Sequence, residues 1–243
     1  MGGALASTGF LGPAEWQAVA LSLKVALFAT LLSLPPGILA AHALARWRFP
    51  GRQFLNGLIH LPLILPPVVT GYLLLIVFGT QGPIGHFLKE NFDFVLAFRW
   101  TGAVLAAAVM AFPLMVRAIR LSIDAVDHKL EAAASTLGAS PLRVFSTITL
   151  PLILPGILAG SILAFAKAMG EFGATITFVS NIPGATQTLP SAVYAFLQVP
   201  DGEGAALHLI AISIAIAIAA LAASEWLARH LQKRIGLSQR GAA

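Results

Sequence analysis

The chain has 243 residues, 58% of them hydrophobic and only 10% charged, with a formal net charge of +5 and a mean hydropathy of +0.86. A soluble domain carries about 25% charged residues, so this composition cannot coat a water-facing surface and leaves no room for an ATPase domain. Cysteine is absent, which excludes disulfides and thiolate metal sites, and the basic residues lie between apolar runs rather than in the patch that nucleic acid needs.

Residues 1–14 are uncharged and lack the basic start of a signal peptide, so the first apolar run is expected to be retained as a span. A spanning helix needs about 20 predominantly apolar residues. Charge-free stretches at 25–45, 53–88, 100–116, 144–166 and 204–224 meet that need. A sixth, 172–200, holds Gly173, Asn181, Pro183, Gly184 and Pro190, which leave no uninterrupted helix of spanning length. It reads as a re-entrant or outer-surface element packed against protein. The fold class is therefore all-α: one polytopic membrane domain, 1–243, with about five transmembrane helices near 16–44, 54–79, 99–120, 148–171 and 205–229.

Basic residues set the orientation, because cytoplasmic loops are enriched in Lys and Arg. Arg46, Arg48 and Arg52 follow the first span; Arg117, Arg120, Lys129 and Arg143 follow the third; Arg229, Lys233, Arg234 and Arg240 close the chain. The intervening segments carry Glu90, Asp93, Asp201 and Glu203 against Lys89 and Arg99. Five spans with the N-terminus outside and the C-terminus inside satisfy every cluster. Trp16, Trp47, Trp100 and Trp226 then fall at span ends as an aromatic belt, and Lys24 snorkels to the outer interface. The six histidines are scattered without metal-ligand spacing, so no metal or catalytic site is expected. Glu225 and Arg229 read as a helix-end pair.

In the second span Pro66, Pro67, Thr70 and Gly71 break the helix near mid-membrane, which fits either a pathway lining or a plain kink. The cytoplasmic loop, about 121–147, holds the strongest local signals. Asp127 is placed to cap a short helix, Glu131 sits in its first turn, Gly138 can supply a left-handed stop, and Ser140 with Pro141 can start a second helix. Ala132, Ala133 and Ala134 give the first helix a small-residue surface open to close approach. Farther on, Lys167 and Glu171 are spaced i,i+4 and can pair, beside Gly170 and Gly173. That pair fits a gate or a purely structural neutralised contact equally well.

The segment EAAASTLGASPLRVFSTITLP, 131–151, resembles the cytoplasmic EAA loop of ABC importer permeases. HLPLILPPVVTGYLLLIVFG (60–79), FPLMVRAIRLSID (112–124) and AMGEFGATITFVSNIPGATQTLPSAVY (168–194) are together similar to molybdate transporter permeases. Sulfate and thiosulfate permeases share the GEFG-type turn but are less similar through 180–194, so they stand as the alternative. The resemblance implies a type I ABC importer permease fold in a bacterial inner membrane and import of molybdate or tungstate. It also implies a homodimer of permeases, two ABC ATPase subunits that use ATP and Mg, and a periplasmic or lipid-anchored oxyanion-binding protein. No cofactor is expected on this chain. The ATPase-coupling residues would be Glu131, Ala132, Ala133, Gly138, Ala139, Ser140 and Pro141. Counted back from Gly138, the family's usual glutamate position falls on Ala132, one residue after Glu131, so no particular salt bridge is assigned to Glu131.

A secondary transporter would carry more ionisable groups within its spans than Lys167 and Glu171. A membrane enzyme would need a converging nucleophile, base and phosphate or metal site that the sequence lacks. With almost no fixed positive charge in the spans, a dianion is expected to cross a transient water-filled passage between two copies. Thr70, Gly71, Gly170, Gly173 and Thr175 are the expected lining.

Overall fold

The structure, a computed structural model, describes residues 12–200 and 202–240. Among them the chain is helical throughout: α1 (Pro13–Arg46), α2 (Arg52–Ile64), α3 (Pro67–Phe78), α4 (Pro83–Phe92), α5 (Trp100–Asp124), α6 (His128–Thr136), α7 (Pro141–Val144), α8 (Leu150–Met169), α9 (Gly173–Val179), α10 (Leu189–Phe196) and α11 (Glu203–Arg240). A π-helical turn, Phe145–Thr149, joins α7 to α8. Together they form one 29-residue apolar helix, Pro141–Met169.

Among the described residues four helices are long and apolar enough to cross a membrane: Pro13–Arg46, Trp100–Asp124, Pro141–Met169 and Glu203–Ala220. The stretch expected as a single span at 54–79 is two helices, α2 and α3, bent by 116°. The cause is local. Leu65 precedes Pro66 and Pro66 precedes Pro67, and a residue before proline is driven out of the helical region; both are extended, with ψ of 143° and 135°. Two successive extended residues swing α3 off the axis of α2. The region 172–200 has no helix of spanning length: it holds α9 and α10, of 7 and 8 residues.

α5 is the central helix. Ala103, Ala106, Ala107, Met115, Val116, Ile119 and Ile123 are all fully buried or nearly so. α1 runs parallel to α5: Lys24 lies over the Trp100 ring at 3.6 Å at one end, and Arg46 donates to the Ile123 and Val126 carbonyls at the other. α8 runs antiparallel to α5. A Cβ on Gly156 would land on Ser122, and one on Gly160 would press on Met115 and Ile119, so glycine permits the close approach that association in lipid relies on. α11 starts beside the start of α1, where Leu209 packs with Ala18 and Val19. α10 is stitched to α1 by a 2.6 Å hydrogen bond from the Leu189 N–H to Ser22 Oγ.

These contacts bring the first two basic clusters to one end of the molecule: Arg46 reaches the turn after α5, and Arg120 donates to Asn56 Oδ1 at 3.1 Å. The side chains of Glu225, Arg229, Lys233, Arg234 and Arg240 lie outside the described residues, as does Asp201. The face of Trp100 holds the Lys24 ammonium by a cation–π contact.

Candidate functional site

Two sites stand at opposite ends of α8. At the basic end the predicted helix–turn–helix is present. Asp127 caps α6 by accepting from the Lys129 N–H at 2.9 Å. Gly138 takes φ +84° with no atom within 4 Å of its added Cβ position, so glycine is there for backbone conformation rather than space. Ser140 caps α7, with Pro141 at its first position. No residue of α6 is buried; Ala132 and Ala133 are exposed, and Ala139 is partly covered. Around them Leu130, Leu137 and Leu142 are exposed at 50%, 88% and 77%. Three large apolar side chains on a short polar-flanked elbow form a surface suited to a protein partner. Their exposure is a property of the turn's shape and is invisible in linear sequence.

Glu131 points the other way, into the molecule. Its Oε2 pairs with Arg46 Nε at 3.2 Å and lies 3.7 Å from His128 Nδ1, while its Oε1 accepts from Thr149 Oγ1 at 2.7 Å. Thr149 is 1% exposed. Arg46 is further held by His128 Nε2 at 2.9 Å and by the two carbonyls after α5. One carboxylate therefore ties α6 to the end of α1 and the root of α8. In the linear sequence Arg46 is an orientation signal and Thr149 has no signal of its own; their meeting at Glu131 depends on α1 and α5 ending at the same level.

At the other end of α8, the Gly170–Gly173 turn interrupts the helix. Lys167 Nζ donates to Glu171 Oε2 at 2.5 Å, and Glu171 Oε1 accepts from the Ala174 N–H at 3.0 Å. Both oxygens are thus engaged, one neutralising the lysine and one capping α9, where a carboxylate favours the helix start. The Glu171 side chain is 1% exposed and that of Lys167 30%. This turn lies within the depth of α5: it falls between Gly160, level with Met115, and Val179, level with Gly102.

α9 crosses α3 on two glycines. A Cβ on Gly71 would sit 2.5 Å from the Ala174 carbonyl oxygen and 2.9 Å from Thr177 Cβ; one on Gly173 would sit 2.7 Å from Pro67 Cβ. The structure thus brings together Thr70, Gly71, Lys167, Gly170, Glu171, Gly173 and Thr175, from two segments about a hundred residues apart. Their exposure differs: Thr70, Glu171 and Thr175 are 5%, 2% and 3% exposed, and Gly71 is buried, whereas Gly170 is exposed and Lys167 and Gly173 are partly so. Thr175 Oγ1 donates to the Phe172 carbonyl at 2.8 Å, and in this conformation Thr70, Gly71 and Thr175 of the expected lining are packed at the crossing. Only Thr70 Oγ1 among these side chains is buried without a hydrogen-bond partner, a cost of about 1–3 kcal/mol.

Residues 33–236 match the model of a protein family described as binding-protein-dependent transport system inner membrane component. The chain is 61% identical over 222 residues to the molybdenum transport system permease protein ModB of Escherichia coli (strain K12), covering 91% of this chain and 97% of that one. It is 55% identical to ModB of Haemophilus influenzae over the same shares. To the probable sulfate transport system permease protein cysT of Chlorokybus atmophyticus it is 36% identical over 195 residues, 80% of this chain and 68% of that one. Its fold is similar to that of a bacterial ABC transporter involved in the import of alginate, with TM-score 0.69 and 18% identity over 93% of this chain and 81% of the other. The MetNI methionine ABC transporter follows with TM-score 0.65 and 13% identity over 89% and 94%. With an exposed helix–turn–helix at one face and a glycine crossing within the spans, and a family match over most of its length, this chain belongs to the binding-protein-dependent transport system inner membrane components.

Proposed function

We propose that this chain is the membrane-spanning permease subunit of an ATP-driven importer that moves molybdate into the cytoplasm. The observation that carries the substrate is the 61% identity to a molybdenum transport permease over 91% of the chain. The working unit in this reading is a homodimer with two ATPase subunits, where ATP is hydrolysed, and an outer oxyanion-binding protein. The exposed elbow of α6, Gly138 and α7 is the ATPase dock, with the N-terminus outside and the C-terminus in the cytoplasm.

The α3–α9 crossing is the gate. A dianion cannot cross a low-dielectric region unpaired, so the packed contact of Gly71 with Ala174, and of Gly173 with Pro67, must separate to admit water between the two copies. Lys167 and Glu171 position α9 for that movement rather than meeting the anion. α8 connects the dock to the gate in one continuous apolar helix. ATPase activity of the reconstituted complex in liposomes, with the binding protein loaded in turn with molybdate, tungstate or sulfate, tests the reading. Stimulation by molybdate and not by sulfate is expected; stimulation by sulfate alone would replace the substrate, and absence of any ATPase partner would remove the function.

A further inference from the structure

The seam between α2 and α5 carries two cavities in file, of opposite character. At the basic end lies one of about 930 Å³, lined by Arg48, Arg52, Arg120 and Asn56. Farther along lies one of about 700 Å³ with apolar walls, which runs from Pro62 of α2 and Phe112 of α5 at its near end to Phe28 of α1 and Trp100 of α5 at its far end. Charge in the first cavity is unbalanced. Arg52 Nε donates to the Leu44 carbonyl at 2.9 Å, and Arg120 donates to Asn56 and lies 3.7 Å from Asp124. Arg48 makes no hydrogen bond or ion pair among the described residues. Three guanidinium groups thus face a single carboxylate, and each carries five N–H donors in a geometry matched to phosphate.

We propose that this seam binds an anionic phospholipid of the leaflet at the basic end, its phosphate among Arg48, Arg52 and Arg120 and an acyl chain in the apolar cavity. Basic pockets between spanning helices recognise lipid headgroups by this chemistry. The dimensions agree. Half of a hydrocarbon core is about 15 Å, or about ten residues of helix at 1.5 Å each, so a chain anchored level with Arg120 ends near Met110. That depth takes in Phe112 and the α2 wall of the apolar cavity. A soluble anion would use the first cavity and leave the near end of the second without an occupant; a phospholipid reaches from the first into that near end, between Pro62 and Phe112. Phe54, exposed at 77%, presents further apolar surface of α2 to the same leaflet.

The test uses the purified complex, delipidated and given phosphatidylglycerol or phosphatidylcholine with a photoreactive acyl chain, followed by peptide mass spectrometry. Phosphatidylglycerol is expected to label the peptides of 58–62 and 110–112, with phosphatidylcholine well below it. Arg48→Gln, a side chain with no internal contact to lose, is expected to cut that labelling about fivefold. Inorganic phosphate and molybdate should leave it unchanged. Equal labelling by the two lipids, indifference to Arg48→Gln, or displacement by free phosphate or molybdate overturns the proposal. So does a disulfide between two copies of a Leu58→Cys variant with no lipid labelling, which would give the apolar cavity to a second copy of the chain.

Discussion

Replacing Glu131 tests the tie between the coupling elbow and the spans, because the two carboxylate oxygens do different work. In Glu131→Ala, Thr149 loses its acceptor while 1% exposed, and an unsatisfied buried hydroxyl costs about 1–3 kcal/mol. The ion pair with Arg46 also goes. A fully buried pair broken on one side costs about 3–5 kcal/mol and an exposed one about 0–1. Here the side chains are 10% and 18% exposed, and Arg46 keeps the Ile123 and Val126 carbonyls, so about 1–2 kcal/mol is reasonable between those limits. The alanine variant should therefore lose about 2–5 kcal/mol, and Glu131→Gln, which still accepts from Thr149, only about 1–2. SDS-induced unfolding of the permease in mixed micelles reads these differences. In the Glu131→Ala/Thr149→Val double variant the orphaned hydroxyl is gone, so the loss should be smaller than the sum of the two single losses by more than about 0.5 kcal/mol. Uptake in vesicles should follow the same order. Additive losses, or equal losses for alanine and glutamine, would refute the tie.

Gly71→Ala should abolish uptake while the complex still assembles, because its Cβ would lie 2.5 Å from the Ala174 oxygen and overpacking of this kind costs about 1–3 kcal/mol. Gly57→Ala, whose Cβ meets nothing within 4 Å, should transport normally; size-exclusion chromatography and uptake compare the two. Gly138→Val should insert in the membrane yet fail to couple, since φ +84° is strongly disfavoured for a β-branched residue and costs about 1–3 kcal/mol; ATPase retained on the permease, measured with uptake, checks this. Because the chain has no cysteine, single-cysteine variants report orientation directly. An impermeant reagent added outside should label position 90 and not position 138, and labelling of 138 from outside would reverse the orientation.

Much of the fold is legible in the chain because hydropathy and charge act locally. The interval between Arg46 and Lys24, the basic cluster around Arg117 and Arg120, and the prolines and glycines of 172–200 each carry their consequence within a few residues. The elbow at Gly138 is legible for the same reason: its caps and its left-handed stop are local chemistry. What escapes is anything decided by the meeting of distant segments. The direction of Glu131 depends on Arg46, 85 positions earlier. The burial of Thr70 and Thr175 depends on a crossing of α3 with α9 that only the bend after Leu65 makes possible. Pro66 and Pro67 announce a break, but not that the following helix departs by 116°, because a proline drives its predecessor into the extended region without fixing the ψ values that set the angle.

The bend has an accounting consequence for the peptide groups themselves. Proline has no N–H, so at positions 66 and 67 the helix cannot return a donor to the carbonyls of Pro62 and Leu63, four residues earlier. An amide carbonyl left bare in hydrocarbon costs several kcal/mol, and these two belong to residues at the surface of the chain, Pro62 half-buried and Leu63 exposed at 39%. Such carbonyls draw donors from elsewhere, and in an apolar neighbourhood the donor is water or a neighbouring chain. The proline pair thereby sets two acceptors without helical donors beside Pro67, which packs on Gly173 at the glycine crossing. Water held there in the resting state would lower the work of wetting the crossing when it parts, so that opening extends an existing hydration site instead of creating one in dry hydrocarbon.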